Sequence, residues 1–156
     1  KAYQKMALIM QHLNRCFVLT VLLAGLMTSL AWAIQSPSLE VVVTYTGQDG
    51  EVSSDNPLVV VIFDTANMMQ AAPIAQEVVT ENGGTVSFSN LTVSPVYVAG
   101  TYDTHGTATD SPAPPPGSLA AQYVRAGGSF AASPVELTEG ETTKIALQIT
   151  DLFRMP

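Results

Sequence analysis

The stretch Gly84–Asp103, GTVSFSNLTVSPVYVAGTYD, has the pattern of two β-strands joined by a short polar connection. Val86 and Phe88 alternate with polar residues, which is the period-two pattern of a strand with one buried face. A second β-rich run follows at Val96–Tyr102. We therefore predict a hairpin here, and its apolar face needs a second sheet to cover it.

Further runs with strand character lie on both sides of this stretch. Apolar and polar residues alternate over 39–45 and again over 144–150, whereas Leu58–Phe63 contains no polar residue and resembles a central strand. Weaker strands are predicted at 74–80 and 119–124, and Glu81–Gly84 has the composition of a hairpin turn.

About seven short strands separated by turns, with no amphipathic helix after residue 34, predict an all-β fold. We expect a seven-stranded antiparallel Greek-key β-sandwich of immunoglobulin-like size. The side chains predicted to face its interior are Leu39, Val41, Val43, Val59, Val61, Phe63, Val86, Phe88, Leu91, Val98, Ile145, Leu147 and Ile149.

The first 33 residues have the three parts of a secretory signal peptide. Basic residues up to Arg15 precede the apolar run Cys16–Leu26, and an A-x-A site follows at Ala31-Trp32-Ala33. We expect residues 1–33 to be a helical signal peptide, cleaved to leave one domain at 34–156. The alternative is an uncleaved membrane anchor, because the apolar stretch over 16–34 is about long enough to span a bilayer.

Charge and cysteine content narrow the class of protein. After residue 33 only three basic residues, Arg125, Lys144 and Arg154, stand against all 13 acidic ones, a formal charge of -10. Such a surface repels phosphate backbones and anionic lipid, so we expect no nucleic-acid partner. The only cysteine, Cys16, lies in the signal, so the domain has no disulfide. The signal-peptide pattern over 1–33 predicts an exported protein, periplasmic or extracellular.

Few residues suggest chemistry. The metal-site candidates are Asp103 and Asp110, whose carboxylates lie seven positions apart, and His105 between them is a poor ligand for calcium; we expect no metal. Ser129 stands in an approximate G-x-S-x-G, but a nucleophile elbow needs a strand before it and a helix after it. We predict no catalytic residues and no cofactor.

The run of LVVVIFD (58–64), VSFSNL (86–91), YVAGTYD (97–103) and PVELTEGETTKIALQITD (134–151) resembles the carboxypeptidase regulatory-like domains. These are transthyretin-like, or prealbumin-like, sandwiches of exported bacterial proteins. Two segments depart from that family: Ser94–Tyr97 replaces its usual Gly-then-Tyr corner, and 103–110 replaces its acidic loop. The resemblance implies a non-catalytic accessory or structural module.

We therefore expect an exported, non-catalytic module with a structural, assembly or binding role, whose protein or cell-surface partner the sequence does not identify. The alternative is a small-ligand carrier, or a protein like the transthyretin-related hydrolases, with a site at one end of the sandwich. That hydrolase family needs several histidines, and after the signal this chain has only His105. An exposed sheet edge would favour the first function, and convergent polar residues in a pocket would favour the second.

Overall fold

The computed structural model describes residues 35–104, 114–128 and 130–155. The predicted signal peptide lies outside these ranges. In the part of the chain so described, no helix is long and apolar enough to cross a membrane. The elements in chain order are β1 Ser38–Tyr45, β2 Leu58–Phe63, a 3-10 helix Met68–Gln70, β3 Ala75–Val79, β4 Thr85–Phe88, β5 Tyr97–Tyr102, β6 Leu119–Gln122 and β7 Thr142–Ile149.

The strands form two sheets that pack as a sandwich, so the predicted all-β fold class is confirmed. One sheet has the strand order β4-β1-β7, and the other has the order β3-β2-β5-β6. The main core lies between them and takes its side chains from both sheets. Residues Gln35–Pro156 form one compact unit.

One strand pair departs from the antiparallel expectation. β1 and β7 run parallel in full register, from Ser38 opposite Thr142 to Tyr45 opposite Ile149. The other strand pairs of the described residues are antiparallel. Parallel pairing requires a long connection. In the sequence, that connection contains β4 and all four strands of the other sheet. Its consequence is that β1 and β7 end side by side at the same end of the sandwich.

Most of the predicted interior side chains lie in the main core. Leu39, Val41 and Val43 of β1 are fully buried between the sheets, as the alternation predicts. Ile145 is partly buried against the same core. The remaining members confirmed as buried there are Val86, Phe88, Leu91, Val98, Leu147 and Ile149.

The predicted face of β2 was wrong. Val59, Val61 and Phe63 do not point between the sheets; they form a second cluster on the outer face, under Met68 and Ala71. The residues of β2 that enter the main core are Leu58, Val60 and Ile62. All six residues of β2 are buried, so no polar position in the sequence marks which face is inner.

The predicted hairpin over 84–103 was also wrong. β4 pairs with β1, whereas β5 pairs with β2 and β6 in the opposite sheet. The segment 89–96 crosses from one sheet to the other, and Leu91 is buried on the way. Eight residues are ample to cover the roughly 10 Å between packed sheets. A connection of this length therefore does not specify a hairpin.

The Glu81–Gly84 turn likewise joins two sheets and not two neighbours in one sheet, because β3 and β4 belong to different sheets. Its local chemistry is nevertheless that of a tight turn. Gly83 has φ of 80°, and the N–H of Gly84 donates to the carbonyl of Glu81 at 3.0 Å. Turn composition thus predicted the bend correctly but not its place in the topology.

Candidate functional site

The polar residues of interest collect at one end of the sandwich because three strands end there. β1 ends at Tyr45, opposite the end of β7 at Ile149. β5 ends at Tyr102, whose ring packs on that of Tyr45 with centroids 4.4 Å apart and an interplanar angle of 31°. The turns that follow β1 and β7 are therefore placed side by side.

The buried hydroxyl of Tyr45 links these turns. It donates to Oδ1 of Asp151 at 2.7 Å and accepts the N–H of Asp49 at 2.7 Å. The second carboxylate oxygen of Asp151 accepts the N–H of Gln48, also at 2.7 Å. A residue that follows β7 thus holds the turn that follows β1.

Further contacts tie in the rest of this end. The hydroxyl of Tyr102 donates to the carbonyl of Glu51 at 3.1 Å. Arg154 forms an ion pair with Asp49 and donates to the carbonyl of Gly117 at 3.1 Å. We call the following residues the tyrosine cluster: Tyr45, Tyr102, Asp49, Asp151 and Arg154.

Gly47 and Asn82 also contact the tyrosine cluster. A Cβ added to Gly47 would lie 1.8 Å from Oδ1 of Asp151 and 2.4 Å from the Tyr45 hydroxyl, so a larger residue would displace both groups from their hydrogen bonds. The side-chain amide of Asn82 pairs with the backbone of Tyr45. Its Oδ1 accepts the Tyr45 N–H, and its Nδ2 donates to the Tyr45 carbonyl, both at 2.8 Å. This pair extends the ladder of β1 beyond the end of β4.

Contacts within the cluster shift the pKa values of both tyrosines and of Asp151. The pKa of Tyr45 is raised from 10.0 to about 12, first by burial, then by the hydrogen bond to Asp151 and the charges of Asp151 and Asp49, while the N–H of Asp49 opposes the shift. Burial, with the charges of Asp49 and Glu51, also raises the pKa of Tyr102. The Tyr45 hydroxyl and the Gln48 N–H lower the pKa of Asp151, and Arg154 lowers it slightly more.

These shifts predict how stability depends on pH. Between pH 10 and 12 the unfolded chain loses the Tyr45 proton while the folded chain keeps it, so stability falls as pH rises. Two pKa units correspond to about 2 to 3 kcal/mol. On the acid side, the contribution of Asp151 is present above the ordinary carboxyl pKa and is lost as pH falls through its lowered one.

We expect Tyr45→Phe to flatten this alkaline decline, because phenylalanine has no proton to lose. Urea titrations of wild type and variant at pH 8 to 12 measure the effect. The variant should be less stable by about 1 kcal/mol or more near pH 8, since one hydroxyl satisfied two partners. The two curves should then converge as pH rises, leaving the smaller slope that Tyr102 causes in both. Parallel curves would contradict the assignment.

Of the two predicted metal candidates, the structure describes only Asp103. Asp103 follows β5 and is buried, and its N–H donates to the carbonyl of Pro57 at 2.9 Å. Asp110, His105 and Ser129 lie outside the described residues. Among residues 35–104, 114–128 and 130–155, no group of three or more His, Cys, Asp or Glu side chains could hold a metal ion.

Sequence reasoning missed the tyrosine cluster. Tyr45 and Asp151 are 106 positions apart, and only the parallel pairing of β1 and β7 brings them together. The available signal was weak: Tyr45 is the last residue of β1, Asp151 comes two positions after β7, and Gly47 and Gly50 mark only the turn that follows β1. Without the strand order, that signal does not indicate which ends meet.

No family model and no curated protein matches the sequence, so the resemblance to carboxypeptidase regulatory-like domains stays a prediction. Two mutant crystal structures of the major pilin from Streptococcus pyogenes are weakly similar β-rich proteins. One is 13% identical, with 76% of this chain and 49% of that chain covered and a TM-score of 0.29. The other is 16% identical, with 74% and 47% covered and a TM-score of 0.28. This chain therefore spans about half the length of that pilin, and we draw no functional conclusion from similarity at this level.

Proposed function

We propose that this protein is an exported, non-catalytic β-sandwich module with an assembly role at the cell surface or in the periplasm, and that a second copy of the chain docks on β4. The observation that carries the proposal is the outer edge of β4. Export is supported by the signal-like pattern over 1–33. Export and the assembly role are separate claims, and the experiment below tests the second.

The pairing of β4 with β1 shows which backbone groups of β4 point to its outer edge. Val43 donates to the carbonyl of Gly84, so that residue pair is hydrogen-bonded, and hydrogen-bonded pairs recur at every second position. Val86 and Phe88 therefore direct their backbone groups at β1. Thr85 and Ser87 are exposed and direct theirs away from the sheet. Among residues 35–104, 114–128 and 130–155, no strand pairs with this edge, so another strand can add to it.

The edges of the other sheet, β6 and β3, are less suited to a second copy. The C-terminal segment covers β6: Ala120 donates to the carbonyl of Phe153 at 3.1 Å, and Met155 to that of Ser118 at 2.9 Å. β3 carries the exposed Glu77. In a pair of β3 strands from two copies, the two Glu77 side chains would repel each other.

Charge favours a second copy at β4. The full chain has a formal net charge of -7, so two copies repel one another at most surfaces. The segment Thr85–Asn90 contains no charged residue, and on β1 behind it Glu40 is paired with Lys144. Two β4 strands placed antiparallel would set Thr and Ser side chains against each other, a favourable cross-strand combination.

Ser87→Pro tests this assembly. Proline removes an N–H that points to the free edge and leaves the β1 ladder intact, so the fold should persist while strand addition is blocked. Sedimentation velocity over protein concentrations up to about 1 mM, where a contact worth about 4 kcal/mol is still detected, is the measurement. Wild type should associate with rising concentration, and Ser87→Pro should stay monomeric.

Ser87→Ala is the matched control, because it removes the same hydroxyl but keeps the backbone N–H; it should associate like wild type. Thr85→Lys places a charge at the same edge without altering the backbone and should also prevent association. Wild type that stays monomeric throughout, or a folded Ser87→Pro that associates equally well, would refute docking at β4.

A further inference from the structure

The chain contains one asparagine that is directly followed by glycine, Asn82-Gly83. In such a pair the backbone nitrogen of the glycine can attack the side-chain carbon Cγ of the asparagine, because no side chain on the glycine obstructs it. The new Cγ–N bond forms as the Cγ–Nδ2 bond breaks. The departing NH2 group takes up the proton that the glycine nitrogen loses and leaves as ammonia, and a five-membered succinimide remains. Water then opens either C–N bond of that ring and yields aspartate or isoaspartate, with no change of oxidation state.

We propose that Asn82-Gly83 is a spontaneous deamidation site that the folded turn holds back and that, once modified, releases the end of β1. The proposal is independent of assembly at β4. It follows from the hydrogen bonds that surround the two reacting groups.

Three hydrogen bonds to β1 hold the two groups that must react. Both polar atoms of the Asn82 side chain are bonded to the backbone of Tyr45 at 2.8 Å. The attacking nitrogen, that of Gly83, donates its N–H to the carbonyl of Val43 at 2.9 Å. For attack, this nitrogen must turn away from Val43 and toward Cγ, so all three bonds to β1 must open first.

The reaction should therefore proceed only from an opened turn. Asn82 and Gly83 are themselves exposed, so water reaches the site and opening requires only that the segment 80–84 leave β1. Exposed turns of this kind open more readily than core strands do. The fold thus slows the reaction without preventing it.

Modification changes the contacts at Tyr45. An aspartate at position 82 can still accept the Tyr45 N–H but has no proton for the Tyr45 carbonyl, so two oxygens face each other. It also adds a negative charge at the end of the sandwich that already holds Asp49 and Asp151. Isoaspartate lengthens the backbone by one methylene group and displaces the Gly83 N–H from Val43. Either product loosens the end of β1. Because β1 ends at Tyr45, this also weakens the hydroxyl contacts that hold the tyrosine cluster together.

The test compares the rate of deamidation in the folded and unfolded chain. The full protein is incubated at one mildly alkaline pH and temperature, in buffer and in urea, and peptides containing residue 82 are followed by mass spectrometry for replacement of NH2 by OH. We expect Asn82 to react at least about tenfold more slowly in buffer than in urea. Asn90, which is followed by leucine, is the internal control and should react slowly in both. Equal rates at Asn82 in buffer and urea would overturn the gating.

A second measurement tests the release of β1. Deamidated protein is separated by ion exchange, and its thermal midpoint is compared with that of unmodified protein and of Asn82→Asp. Both modified forms should melt several degrees lower. Asn82→Ala, which removes the same two bonds without adding charge, separates lost bonding from added charge. A deamidated protein that melts with wild type would overturn the proposed release.

Discussion

Phe88→Ala is expected to lower the free energy of unfolding by about 3 to 5 kcal/mol, because it removes an aromatic ring from between the two sheets. Phe88 is 4% exposed and stands opposite Leu39, whose side chain is fully buried in the same core. The short strand β4 offers no alternative aromatic group to fill the space. Denaturant titration with a shared slope for wild type and variant measures the loss.

Ser87→Ala is the matched control for this substitution. Ser87 is the adjacent residue of the same strand and points to the opposite, exposed face. Its replacement should change stability by less than about 0.5 kcal/mol. Equal losses for the two variants would mean that the face assigned to β4 is incorrect.

Tyr102→Ala is the second substitution with a large expected effect, again about 3 to 5 kcal/mol. Tyr102 is fully buried at the end of β5, and its ring packs against Tyr45, so truncation leaves a cavity beside the tyrosine cluster. The carbonyl of Glu51 also loses its donor. Thermal and urea unfolding both report the change.

Tyr102→Phe separates the ring from the hydroxyl. It keeps the packing and removes one hydrogen bond, so the expected cost is only about 0.5 to 1.5 kcal/mol. A double-mutant cycle of Tyr102→Ala with Tyr45→Ala should show coupling of about 0.5 to 1.5 kcal/mol for the ring pair beyond the area that each buries. Additive losses, or a Tyr102→Phe variant as unstable as Tyr102→Ala, would argue against the ring contact as the source of stability.

Local sequence patterns were sufficient to predict the class of fold and the local structure of most strands. Alternation in β1 and β4 placed Leu39, Val41, Val86 and Phe88 correctly, because each strand has one polar and one apolar face and a shift by one residue would expose the apolar set. The turn at Glu81–Gly84 was likewise recognisable, because glycine tolerates the positive φ that Gly83 adopts.

The pairing of the strands and the ends that meet depend on the packing of the whole sandwich. β2 is buried on both faces, so its pattern holds no information on which face is inner, and the prediction for Val59, Val61 and Phe63 was wrong. The eight residues between β4 and β5 can span a hairpin or cross between sheets, and local periodicity does not distinguish the two. The tyrosine cluster depends on the parallel pairing of β1 with β7, which brings Tyr45 to Asp151. The packing of the whole sandwich determines such a contact, because the local sequence around neither residue indicates its partner.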